Sequence, residues 1–190
     1  MVVRAILTGV LAAIAIPAVA QETYVLEQAH SRPSFEARHL GFSTQFGSFS
    51  GVTGKVTLDR AAKKGTVDIT IDATTVRTFE PRLDNTVKGE RFFNVEKFPT
   101  ITFKSSSLKF DGDRLTDVDG ELTMLGVTKP VNLKVVDFKC GEQPFNKKPM
   151  CGADATATIK RSDWGMTTGI ANGVPADEVT LRIPVEAYKE

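Results

Sequence analysis

The residues best suited to chemistry in this chain are few. His30 and His39 show no H-x-H or H-E-x-x-H spacing that would set two imidazoles on one metal. Ser31 follows His30 directly, but neighbours on a strand point to opposite faces, which is poor geometry for proton transfer between them. Hydrogen-bonded structural roles suit both histidines better. Gly47-Ser48-Phe49-Ser50-Gly51 places Phe49 where a G-x-S-x-G elbow needs its nucleophile, and a β-rich chain lacks the strand-turn-helix setting. Asp117-Val118-Asp119-Gly120 resembles part of a calcium loop. Leu115 and Gly126 stand where an EF-hand needs acids, so a polar strand edge is expected instead. No glycine-rich phosphate cradle or dinucleotide fingerprint occurs. The expectation is a binding protein with no catalytic residues, no metal and no cofactor.

Two cysteines remain, Cys140 and Cys151, flanking a polar loop with prolines at 144 and 149. Redox motifs hold their cysteines two residues apart, and no histidine lies near to complete a zinc set. A structural disulfide is expected, worth about 3 kcal/mol on the chain-entropy model for a loop of this size. That expectation requires an oxidising compartment, and the leader supplies one. Arg4 precedes an apolar run from Ala5 to Ile16, then Pro17 and Ala18-Val19-Ala20. This reads as a signal peptide over residues 1–20, cut after Ala20, with the working domain at 21–190 and a periplasmic destination. About twelve apolar residues are too few to span a membrane core that needs roughly twenty, and no integral anchoring is expected.

The elements that must position these residues are strands. Val67, Ile69 and Ile71 alternate with polar residues, as do Ile101 and Phe103, then Val131, Leu133 and Val135, then Val179, Leu181, Ile183 and Val185. Period two buries one face of a sheet, which antiparallel sheets permit. Asp111-Gly112 is a hairpin signal, Leu58 to Gly65 forms a longer hairpin loop, and Gly126 with Pro130 punctuates another. Between Pro81 and Phe93 the apolar spacing is helical, and Pro81 suits a first turn. Eight or so strands, regular turns and one short helix make a single all-β domain, a closed barrel or a sandwich.

The composition excludes partners more than it proposes them. The 190 residues carry 24 basic and 23 acidic side chains, 41% apolar and 25% charged residues. Without Arg4 the balance is zero, which argues against a nucleic-acid binder. The aromatic distribution is less even. Nine of the twelve phenylalanines lie between residues 35 and 103, whereas Ala153, Ala155, Ala157 and Ile159 form a wall of small residues. Such walls either leave an apolar lumen or fit the taper of a plugged barrel. The residues alone leave both open.

The run from His30 through Ser43, with Gly47-Ser48-Phe49 and Gly51, resembles the opening signature of the YceI-like family. Phe98-Pro99-Thr100-Ile101-Thr102-Phe103-Lys104-Ser105 is similar to its central strand motif. Gly120 to Val131 resembles its third motif, and Arg161-Ser162-Asp163-Trp164-Gly165-Met166 its fourth. The resemblance runs from about Tyr24 to Tyr188. It departs at Leu125, where many members have His, and at Trp164, where Phe is common.

The resemblance implies an extended eight-stranded antiparallel lipocalin-like barrel. Its lumen would hold a long-chain amphiphile such as an isoprenoid quinone or polyprenyl phosphate, with no catalysis. From position and residue type, Arg38, His39, Arg77 and Arg91 are candidates for a polar head at the mouth, since a guanidinium fork suits phosphate. Phe35, Leu40, Phe42, Phe46, Phe49, Phe92, Phe93 and Phe103 are candidates for the tail. Two other functions stay in play: a lipid-ester hydrolase using Ser31 or Ser50 with a histidine, and a barrel that binds only proteins. An edge strand would also allow a homodimer.

Overall fold

A computed structural model describes residues 21–190. The predicted signal peptide lies outside the described residues. Ten strands follow in chain order: β1 (Glu22–Leu26), β2 (Ser34–His39), β3 (Ser43–Ser48), β4 (Val52–Asp59), β5 (Lys64–Asp72), β6 (Thr100–Asp111), β7 (Arg114–Met124), β8 (Val127–Glu142), β9 (Pro149–Lys160) and β10 (Glu178–Lys189). One α-helix, α1 (Pro81–Lys88), lies between β5 and β6. Every strand pairing is antiparallel, and the ring β1-β4-β5-β6-β7-β8-β9-β10 closes through a β1–β10 pairing. Closure makes an eight-stranded barrel. β2 and β3 form an additional hairpin docked on β10.

The place of that hairpin follows from the length of β10. Its last residues, Ala187 to Lys189, pair with β1, and its first, Val179 to Arg182, pair with β2. Between these two ladders Glu186 would have a backbone amide with no strand partner. Ser31, fully buried, fills the gap: its Oγ accepts from the Glu186 N–H at 3.1 Å and donates to the Glu186 carbonyl at 3.1 Å. A buried amide must find a partner, and one hydroxyl here replaces a missing strand bond. β3 has a free outer edge apart from a bridge in which Ser48 and Arg77 exchange backbone bonds of 2.8 and 2.9 Å.

The turns form where the sequence signals them. Gly112, with φ 59°, sits between β6 and β7, and Leu125 and Gly126, at φ 53° and 75°, make the two-residue turn between β7 and β8. Both central residues at positive φ suit the twist of a tight hairpin. Pro130 is no part of that turn. It lies within β8, in the stretch before β8 begins pairing with β9 at Lys134, where no ladder bond to β9 is interrupted.

The helix is shorter than the apolar spacing predicts. Pro81 opens it, the Glu80 side chain accepts from the Arg82 N–H at 2.9 Å, and the chain leaves the helix at Gly89. Phe93 and Val95 then donate backbone bonds back to Val87 and Lys88. These turns carry Phe92 and Phe93 inward. Among the described residues, no helix is long and apolar enough to cross a membrane.

Candidate functional site

The alternation read from the sequence builds an interior wall. Val179, Leu181, Ile183, Val185 and Ala187 of β10 face the barrel axis, as do Val67, Ile69 and Ile71 of β5 and Val131, Leu133 and Val135 of β8. They do not meet at the centre. A cavity of about 250 Å³ runs between them, and of its lining residues only Tyr24, Ser34 and Arg161 carry a side-chain nitrogen or oxygen. From Val179 to Ala187 it follows β10 for about 26 Å at a rise of about 3.3 Å per residue. The space is long, narrow and apolar.

Two features keep it open. On β9, Ala153 and Ala155 present small side chains to the axis. Elsewhere on the wall the large rings of Phe35 on β2 and Phe103 on β6 lie against glycines that seat them. A Cβ at Gly47, paired across from Phe35, would stand 2.2 Å from the Phe35 ring, and one at Gly120 would stand 2.4 Å from the Phe103 ring. A side chain at either position would drive the ring into the lumen. Phe35, Phe49 and Phe93 form a triangle with ring centroids 5.4 to 5.9 Å apart in tilted and edge-on contacts.

One end of the cavity is the plugged end. Tyr24, Leu58, Cys151 and Ala187 bound it there, in a second buried cluster that extends along β1 and β4 to Leu26 and Val52. Cys140 and Cys151 face each other across β8 and β9 and are joined by the expected disulfide, with Cα atoms 4.0 Å apart. The Tyr24 hydroxyl donates to Glu22 Oε2 at 2.6 Å. Burial, and then that bond to a carboxylate, push the phenol up to about 12.

The other end lies beneath the loop that precedes β10, the mouth loop, and its polar group is one the sequence reading missed. Arg161, 3% exposed, donates from Nε to the Ala176 carbonyl, from Nη1 to Met166, and from Nη2 to Thr168 and Pro175, all at 2.7 to 2.9 Å. One side chain thus holds the whole loop between Trp164 and β10. The Phe92 ring covers the guanidinium at 6.0 Å. Burial lowers the Arg161 pKa, and the Asp177 carboxylate opposes that shift. Asp177 itself accepts from the Ser162 N–H and Oγ at 2.9 and 2.8 Å. A signal for Arg161 was present: it continues the inward phase of Ala153, Ala155 and Ile159. The neighbouring Trp164 is also buried, and its indole N–H donates to the Leu122 carbonyl at 3.1 Å.

Of the proposed tail residues, Phe35, Phe49, Phe92, Phe93 and Phe103 line the cavity. Leu40 and Phe42 lie at the tip of the β2–β3 hairpin and Phe46 on β3; Phe42 is 89% exposed and Phe46 52%. Leu40 and Phe42 stay outside because the hairpin tip extends past the start of β10, and Phe46 because it shares the outward phase of its partner Glu36 on a strand outside the ring. The proposed head-group residues Arg38, His39, Arg77 and Arg91 do not line the cavity either. Arg38 bonds within its own hairpin, to Thr44 Oγ1 and the Gly41 carbonyl. Arg77 turns to the Val76 carbonyl and to Asp84, 3.7 Å away.

The residues considered for other chemistry are dispersed. Ser31 Oγ is committed to the Glu186 backbone, while His30 Nδ1 lies 2.7 Å from Glu27 Oε2 on the outer wall. Glu27, His30 and Glu186 are the described group whose ligand atoms come close enough to share a cation. They sit outside the lumen, with His30 well exposed. Asp117 and Asp119 form the expected polar strand edge, pairing with Lys134 at 2.6 Å and Lys109 at 2.7 Å. Bonds from Lys109, Asn132 and Ser107 hold Asp119 down at about 2.

The pattern that defines the YceI-like domain matches residues 24–187. Protein YceI of Salmonella arizonae is 37% identical over 165 residues, which cover 86% of this chain and 84% of that protein. Burkholderia cenocepacia BcnA shares the fold with a TM-score of 0.72 at 24% identity, over 85% of this chain and 98% of that one. A polyisoprenoid binding domain from Saccharophagus degradans, implicated in plant cell wall breakdown, shares it with a TM-score of 0.66 at 15% identity, over 88% and 98%. With its pattern matched across nearly the whole barrel, the chain belongs to the YceI-like family.

Proposed function

We propose that the protein is an exported, periplasmic carrier that holds a long-chain isoprenoid amphiphile, a quinone or a polyprenyl phosphate, in its barrel without chemical conversion. The observation that carries this reading is the apolar cavity along β10, about 26 Å by the strand rise, with wall glycines that keep the aromatic rings aside. A plugged core would have supported a barrel acting only through its outer surface. Transfer of an isoprenoid tail from water into such a lumen yields roughly 0.8 kcal/mol for each buried methylene. The binding activity named for the Saccharophagus degradans relative supports the same ligand class. The basic start, apolar run and Ala18-Val19-Ala20 site support export, and the disulfide suits an oxidising compartment.

Organic extraction of the mature protein, gently purified from an exporting host, followed by mass spectrometry, tests the proposal. The expected result is one isoprenoid chain per barrel. Protein that carries no lipid, and takes none up when incubated with isoprenoid quinone or polyprenyl phosphate, would refute it.

A further inference from the structure

Among the described residues the one charge on the cavity wall is Arg161, and its bonding is incomplete. A guanidinium has five N–H donors. Four are spent on the carbonyls of Met166, Thr168, Pro175 and Ala176, which leaves one Nη1 hydrogen without an acceptor among the described residues. Nor does Arg161 form an ion pair: Asp177, the carboxylate that acts on it, is bonded to Ser162. A buried cation held by carbonyl dipoles, with its nearest acting carboxylate engaged by Ser162, keeps a positive field at that end of the lumen, where low polarity strengthens it. The wall opposite offers only apolar groups, and Phe92 covers the flank.

We infer that Arg161 seats the anionic head of the bound amphiphile, a phosphate or carboxylate on a long apolar tail, through its remaining Nη1–H. This rests on the carrier reading and narrows it. The same side chain then has two tasks: four donors shape the mouth loop, and the fifth selects the ligand. The exposed arginines Arg38, Arg77 and Arg91 lie off the cavity wall and contribute nothing to selection.

The test uses delipidated mature protein and two ligands with one tail, geranylgeranyl phosphate and geranylgeraniol, titrated by calorimetry. Wild type is expected to bind the phosphate at least about tenfold more tightly than the alcohol, the usual worth of a charge-assisted hydrogen bond. Arg161→Gln should bring the two affinities within about twofold of each other, and Arg161→Lys should restore part of the preference. A purely structural arginine would instead lower both affinities together and leave their ratio unchanged, which overturns the inference. Equal affinities in wild type overturn it as well, whether or not the variants fold. Failure of wild type to bind either ligand would remove the carrier reading itself.

Discussion

The two ends of the barrel close in different ways. At the plugged end the turns carry Asp59, Arg60, Lys63 and Lys64, then Asp111, Asp113 and Arg114, then Glu142, Lys147 and Lys148. A disulfide ties β8 to β9, and ion pairs at 2.6 Å between Lys189 and Glu22 and 2.8 Å between Lys55 and Glu190 join β10 to β1 and Glu190 to β4. At the mouth no charged side chain occurs from Leu40 to Gly54, the hairpin tip exposes Leu40 and Phe42, and the loop before β10 is held by hydrogen bonds from one arginine. One end is fastened covalently and by packing. The other is fastened by the hydrogen bonds of Arg161, over buried core residues that include Trp164 and Met166. In the proposed carrier, the head of the ligand lies beside Arg161 and its tail reaches toward Tyr24 and Leu58.

Substitutions at the two ends should separate stability from binding. The largest loss is expected at Phe93, which belongs to the aromatic triangle as well as to the lumen. Phe93→Ala should cost about 3–5 kcal/mol by chemical denaturation and weaken ligand binding as well. Replacing Cys140 and Cys151 together by Ala should cost about 3 kcal/mol and lower ligand affinity far less than Phe93→Ala does, since Cys151 lines only the end of the cavity away from Arg161. A matching loss of affinity would break the distinction between the ends.

The Tyr24 phenol gives a pH test of the same end. Its folded pKa lies above that of a free phenol, so the stability it contributes is complete below about pH 10 and is lost as the pH rises toward about 12. Denaturation of wild type should weaken across that window more steeply than that of Tyr24→Phe. The smallest effect belongs to the mouth's exposed tip. Phe42→Ser should change stability by no more than about 0.5 kcal/mol.

Much of this barrel was legible because period two survives in nearly every strand. The inward residues of β5, β8 and β10 were readable as alternations, and they line the cavity. The site was less legible where positions depend on the three-dimensional ring. Leu40, Phe42 and Phe46 have the right chemistry for a lumen, but the hairpin tip runs past β10 with the first two, and Phe46 faces outward on β3, a strand outside the ring. Arg161 has unremarkable sequence neighbours, and its partners are carbonyls up to fifteen residues downstream. Only its phase with Ala153, Ala155 and Ile159 marked it as inward. Ser31 invited comparison with a nucleophile, although its task is to complete a backbone ladder between two strands that do not meet.

The central claim is that the space along β10 holds the ligand, and Ala155 faces that space from a wall of small residues. Titrating delipidated wild type and Ala155→Phe with a labelled geranylgeranyl chain tests it most directly. Saturable one-to-one binding by wild type is predicted. Ala155→Phe should abolish that binding while remaining folded, with a stability change within the roughly 1–3 kcal/mol of overpacking. Unchanged binding by the folded variant would place the ligand elsewhere and contradict the account.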